Sequence, residues 1–134
     1  MEPPAALADW ILAQTTDALV YAGRDGAIVR WNAAAAALFG FTAAEAIGAS
    51  LDLIIPEHLR AAHWRGFDAS MASGRTRLAG RPTVTRAVHK SGNKLYVEMT
   101  FALVKDDAGA VVGTVAIARD VTERVQRERA AAGR

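Results

Sequence analysis

The sequence predicts an α+β domain: a five-stranded antiparallel sheet with helices packed on one face and a flanking helix at each end. Three observations carry that expectation. First, β-rich runs follow one another across short turn signals, Asp25-Gly26, KSGN (Lys90 to Asn93) and DDAG (Asp106 to Gly109), the pattern of hairpins and so of antiparallel pairing. Second, helix-period segments with their caps form one block between the second and third β-rich runs, which sets them on one side of the sheet. Third, 134 residues that are 51% hydrophobic give room for one domain with a real core.

The elements follow in order. After Pro3 and Pro4, Leu7, Trp10, Ile11 and Gln14 fall at helical spacing and make a short amphipathic helix. Strands are expected near Ala18 to Ala22 and Ala27 to Trp31, either side of Asp25-Gly26. Asn32, a favoured N-cap, then precedes five alanines, the best helix formers, and Gly40 stops that helix. Thr42 to Glu45 reads as a capping box opening a second short helix that ends at Gly48. Pro56 opens the longest helix, expected over Glu57 to Ser73, with Gly74 as its stop. Its apolar stripe runs Leu59, Ala62, Phe67 and Met71, and Leu59, His63, Phe67 and Met71 step by four, so an imidazole shares the inward face.

Three β-rich runs close the domain. In the middle one Leu95, Val97, Met99, Phe101 and Leu103 alternate with Tyr96, Glu98, Thr100, Ala102 and Val104, a set apolar enough that both faces are expected to be partly covered. In the last, Thr114, Ala116 and Ala118 put small side chains on one face and leave volume there; Val111, Val115 and Ile117 lie on the other, where a partner could pack. The tail from Asp120 is helical, capped by Asp120 or Thr122, and needs a partner or a continuing chain to be stable. A pocket is expected between the sheet and the long helix. The chain divides into a flanking helix (1–16), a central domain (17–120) and a C-terminal linker helix (121–134).

Composition excludes several classes. There is no cysteine, hence no disulfide, thiolate catalysis, cysteine-ligated zinc or cysteinyl adduct. Sixteen basic and fourteen acidic groups leave a net charge of +2, too even for a nucleic-acid footprint. The arginine runs Arg75, Arg77, Arg81 and Arg124, Arg127, Arg129 read first as solvated faces. No apolar run approaches the roughly 20 residues that span a bilayer, and no signal peptide is evident, so a cytoplasmic domain is expected. No nucleophile is paired with a base, and Glu57 and His58, adjacent on a helix, do not face each other; no enzyme activity is expected. His58 and His89 are expected at the surface.

The stretches DALVYAGRDGAIVRWNAAAAALFGFTAAEAIG, KSGNKLYVEMTF and ARDVTERVQRE, in that order and spacing, resemble a PAS domain over Asp17 to Arg129. The resemblance implies a sensory module that binds haem, flavin, a small metabolite or nothing, that dimerises through the outer sheet face and flanking helices, and that signals to an attached output domain. The segment IPEHLRAAHWRGF resembles the haem-binding PAS oxygen sensors of rhizobial type, in which the iron-ligating histidine follows the proline by seven residues; here that is His63 after Pro56. It implies haem b held by His63, the only metal ligand expected from the protein's histidines. Phe67 would lie against the macrocycle, with Met99, Phe101 and Ala116 on the opposite wall. Arg81 resembles the arginine that meets bound oxygen or a propionate, and Arg75 and Arg77 could pair with propionates. Ala69 stands where those sensors place another propionate arginine. A thioether from Met99 would make the site six-coordinate. The alternatives are a satisfied core histidine in a dimerisation and relay module, or a non-covalent flavin near Trp31, Asn32 or Trp64.

Overall fold

In a computed structural model that describes residues 6–133, ten helices and strands follow the expected order. They are α1 (Leu7–Gln14), β1 (Ala18–Gly23), β2 (Ile28–Trp31), α2 (Ala33–Phe39), α3 (Ala43–Ala46), α4 (Arg60–Ser73), β3 (Thr83–Val88), β4 (Lys94–Lys105), β5 (Val111–Asp120) and α5 (Thr122–Ala132). Pro3 and Pro4 lie outside the described residues.

The strands form one antiparallel sheet in the order β2-β1-β5-β4-β3. β1 and β5 are central because the chain returns from the hairpin β3-β4-β5 to pair Val20 with Ala116 and Ala18 with Ala118. Gly113 lies where β5 crosses β1. A Cβ there would fall 2.3 Å from the Ala22 carbonyl oxygen, so only glycine fits.

Local chemistry accounts for most boundaries. Asp25 Oδ1 accepts from Ala27 N (3.0 Å) and Gly26 takes φ +79, which closes the first hairpin. Asn32 Oδ1 accepts from Ala35 N and caps α2, and Gly40 ends that helix in the left-handed region at φ +83. Thr42 and Glu45 make both bonds of the capping box. Lys90 and the Thr42 backbone N–H, both donating to it, hold the Glu45 carboxyl down to about 2. One boundary differs. Glu57–Leu59 is a turn of 3₁₀ helix, with Leu59 N donating to the Pro56 carbonyl, and the α-helix begins only at Arg60. Such a tight lead-in is common at helix starts.

The inner sheet face carries Val20, Ala22, Ile28, Trp31, Leu95, Val97, Met99 and Ala118, all buried. Against it pack Ala35 and Phe39 of α2, Ala46 of α3, Leu51 and Ile54 of the following turn, and Phe67 of α4. Phe39 is fully buried, its ring 5.4 Å from that of Trp31, and its burial stabilises the fold by about 1.5–3 kcal/mol. The outer face is partly covered at its two ends. α1 brings Leu12 to Leu19, which is only 5% exposed, and α5 lays Arg129 over Tyr96 at 4.9 Å.

Candidate functional site

The site lies where α4 faces the inner sheet. Of the residues of α4 only Phe67 is buried, so one ring anchors the longest helix of the domain. The helix sequence explains this. Arg65, Gly66, Asp68, Ala69, Ala72 and Ser73 are exposed, and Ala62, placed by its spacing on the apolar stripe, is exposed as well. The helix turns so that His63, Trp64, Phe67 and Met71 face in and Ala62 is carried to the solvent side.

His63 is half-buried among aromatic rings. Its imidazole meets the edge of Trp64 at 4.6 Å and 77° and lies 6.1 Å from Phe67. Its Nδ1 is wholly buried and has no hydrogen-bond partner. Burial pushes the imidazole below its usual value, while the Asp52 carboxylate works in the opposite direction. At neutral pH the ring is therefore uncharged, the form that ligates iron.

Opposite stand the sheet residues named from the sequence. Met99 pairs with Ala118 and Phe101 with Ala116 across β4 and β5, so the thioether, a phenyl ring and two methyl groups share the inner face. Met99 is buried, and Phe101, Ala116, Trp64 and Met71 pack against the same core as Phe67. The space between α4 and the sheet is thus occupied by these side chains, where the sequence reading expected an open pocket. Two grooves lie elsewhere, one beneath α1 and one along the outer face between Leu12, Tyr21, Val29, Val104 and Val115.

The arginines stand apart from this group. Arg75, Arg77 and Arg81 are exposed in the loop between α4 and β3. Arg81 Nε donates to the Leu78 carbonyl in its own loop at 3.0 Å. A guanidinium has no reason to enter an apolar interior without an anion to meet it. His58 is exposed as expected, whereas His89 is half-buried, its ring resting on Gly40.

The polar groups considered for a flavin are engaged within the chain. Asn32 Oδ1 accepts from Leu19 N and Ala35 N (both 2.9 Å), and its Nδ2 donates to the Asp17 and Thr15 carbonyls. Trp31 Nε1 donates to the Phe41 carbonyl at 3.0 Å, and Trp64 Nε1 to Asp52 Oδ1 at 2.8 Å. Asp52 was not evident as part of this site from the sequence. The available signal was the inward tryptophan, whose N–H requires an acceptor, with Asp52 and Glu57 the acids of the segment leading to α4.

The residues present fit haem as a donor set. One uncharged imidazole carries an orphaned buried nitrogen, and aromatic rings stand beside it. Among the described residues no three of His, Asp and Glu converge to hold a bare metal ion.

The family profile described as "PAS fold" matches residues 12–126. An uncharacterized protein of Azorhizobium caulinodans is 32% identical over 121 residues, 90% of this chain and 16% of that protein. Oxygen sensor protein DosP of Escherichia coli K12 is 32% identical over 102 residues, 75% of this chain and 12% of that protein. The chain therefore spans under a fifth of either relative. Among solved structures, the PAS domain of a Colwellia psychrerythraea protein superposes with a TM-score of 0.74 at 20% identity, covering 87% of this chain and 95% of that one. An RNA-binding light-oxygen-voltage receptor gives 0.71 at 24% identity, covering 96% and 37%. At these identities the solved structures establish the fold alone.

Proposed function

The chain belongs to the PAS fold family, whose members are generally sensory and not catalytic, and on that premise we propose that His63 holds haem b and that the domain reports a diatomic gas or a redox state. The observation that carries the reading is the orphaned Nδ1 of His63. A buried polar atom without a partner costs about 1–3 kcal/mol, and such a deficit is kept where a site is made for something else. The likeness to an oxygen sensor supports the same reading. The flavin alternative is less well supported, because Trp31, Asn32 and Trp64 have their polar groups engaged within the chain.

Haem supplies, when bound, an iron that exchanges ligands or electrons. The chain's own residues do the rest. His63 would hold the iron from α4, its neutral form favoured by burial. Phe67, Phe101 and Ala116 exclude water. Met99, on the facing strand β4, would offer a thioether as a second ligand to the same iron. Arg75, Arg77 and Arg81, in a loop at the surface, offer guanidiniums to the propionates.

Absorbance during haemin titration tests this. The expected result is a Soret band with the wild-type chain and none with His63→Ala. An alanine variant with the same Soret spectrum would show that His63 is not the ligand. Met99→Leu is expected to convert a six-coordinate spectrum to a five-coordinate one, and no change removes Met99 from the axial role.

A relay reading is favoured by a separate observation. The outer sheet face is apolar at Tyr21, Val29, Val104 and Val115 and faces solvent. We place a homodimer contact there, with α5 leading to a cytoplasmic output domain or partner protein. In that reading a metabolite or no ligand occupies the core.

A further inference from the structure

We propose that Trp64, fixed by Asp52, is the positioning residue that aims His63 into the core; this deepens the haem reading and rests on it. A histidine that ligates a metal is usually oriented by a hydrogen bond from its other ring nitrogen to a carboxylate or carbonyl. In this chain Nδ1 of His63 is the nitrogen left open for the iron, and among the described residues no hydrogen bond holds the ring by its other nitrogen, Nε2. Orientation of the ring therefore falls to packing, and the nearest ring is Trp64 at 4.6 Å, edge to face.

The indole is itself held on three sides. Its Nε1 donates to Asp52 Oδ1 at 2.8 Å. Its six-membered ring lies over Gly26, so closely that a Cβ there would sit 2.3 Å from Cη2. Its third contact is Phe67, at 5.1 Å and 72°. Each holding group is fixed in turn. Gly26 sits at φ +79 in the β1-β2 turn, its carbonyl accepting from Leu51 N at 3.1 Å. Arg60 Nη2 donates to the Asp52 carbonyl at 3.3 Å, and its Nε lies 3.9 Å from the Asp52 carboxylate. The indole thus transmits the position of the first hairpin to the imidazole. Gly26 is consequently required twice, for its backbone conformation and for the absence of a side chain beneath Trp64.

The test uses the full chain with Trp64→Ala, Trp64→Phe, Asp52→Ala and Asp52→Asn. Haemin affinity is read by Soret titration, and the His63 ring titration by NMR before haemin is added. Trp64→Ala is expected to weaken haemin binding by about 10–100-fold, the range for losing a group that orients a ligand. It should also raise the His63 titration toward the value of a free imidazole, because the burial that lowers it is lifted. Asp52→Ala should weaken binding as well. Asp52→Asn, which keeps an acceptor for the indole, should restore it. Unchanged affinity, spectrum and His63 titration in Trp64→Ala would overturn the proposal. Should Trp64→Ala lose its fold by circular dichroism, Trp64→Phe and Asp52→Ala support the same comparisons. A wild-type chain that takes up no haemin would remove the haem reading, and the contacts of the His63 ring with Phe67, read by NMR in the haem-free chain, would still decide the positioning role: their loss in the Trp64 variants supports it, their persistence overturns it.

Discussion

Asn32 serves four backbone groups at once. Its carbonyl accepts from Leu19 and Ala35, and its amide donates to Asp17 and Thr15. It thereby ties the start of β1 to the start of α2, and it is 5% exposed. Asn32→Ala leaves the Leu19 and Ala35 N–H groups without acceptors in a buried position. The expected loss is about 2–4 kcal/mol of unfolding free energy, measured by urea denaturation. A loss of only about 1 kcal/mol, the value of a helix cap alone, would mean that the bond to Leu19 contributes nothing. The cap was legible in the sequence because Ala35 lies three residues away. The other partners lie 13 to 17 positions earlier, and no local pattern announces them. The same division holds at the site. The inward face of His63 is written in a four-residue step, whereas the pairing of Trp64 with Asp52 crosses from one segment to another over twelve positions.

At the scale of the element, α5 shows how a helix with little apolar surface is attached. Thr122 Oγ1 accepts from Tyr96 N (2.9 Å) and donates to the Tyr96 carbonyl (3.3 Å), and Val121 N donates to that carbonyl as well. The helix starts without a side-chain cap: Val121 stands at the N-cap position, and Asp120 Oδ1, accepting from Thr122 N, closes the turn just before it. Of the two caps considered from the sequence, then, neither takes the cap position: Asp120 closes the preceding turn and Thr122, the first residue of the helix, bolts it to β4. Arg124 lies 3.7 Å from Glu98, but exposed ion pairs of this kind contribute at most about 1 kcal/mol. An isolated helix of this length is marginal in water. Thr122→Val should therefore raise amide exchange along α5, beginning at Val125, and Thr122→Ser should not. Equal protection in both variants would show that the arginine stacked on Tyr96, and not the threonine, carries the attachment. Hairpins, caps and helix stops could be read from single residues because each is decided within a few positions. The split of the long helix could not, since Pro56 permits either a 3₁₀ or an α start and the choice depends on how the chain meets the core.

For the molecule as a whole, the two faces of the sheet have different fates. The inner face is closed by helices, while the outer face leaves Val29 40% exposed and Val84 44% exposed, with Trp10 and Ile11 of α1 more open still. An apolar surface of this kind marks an interaction site. If a second copy covers it, Val115→Glu, at its centre, should convert a dimer to a monomer in sedimentation velocity and leave the circular dichroism spectrum unchanged. A dimer that survives the substitution would move the contact to the flanking helices alone.

The single buried ring of α4 has an energetic consequence for anything the core receives. The interior between this helix and the sheet is closed by adaptable side chains, so admission requires a reorganised, less populated arrangement of the chain. The observed dissociation constant of any guest then exceeds its intrinsic value by the inverse of that population. A residue such as Met71, which packs against the same core as Phe67, can thus tune the apparent affinity for a guest by altering how often the door stands ajar.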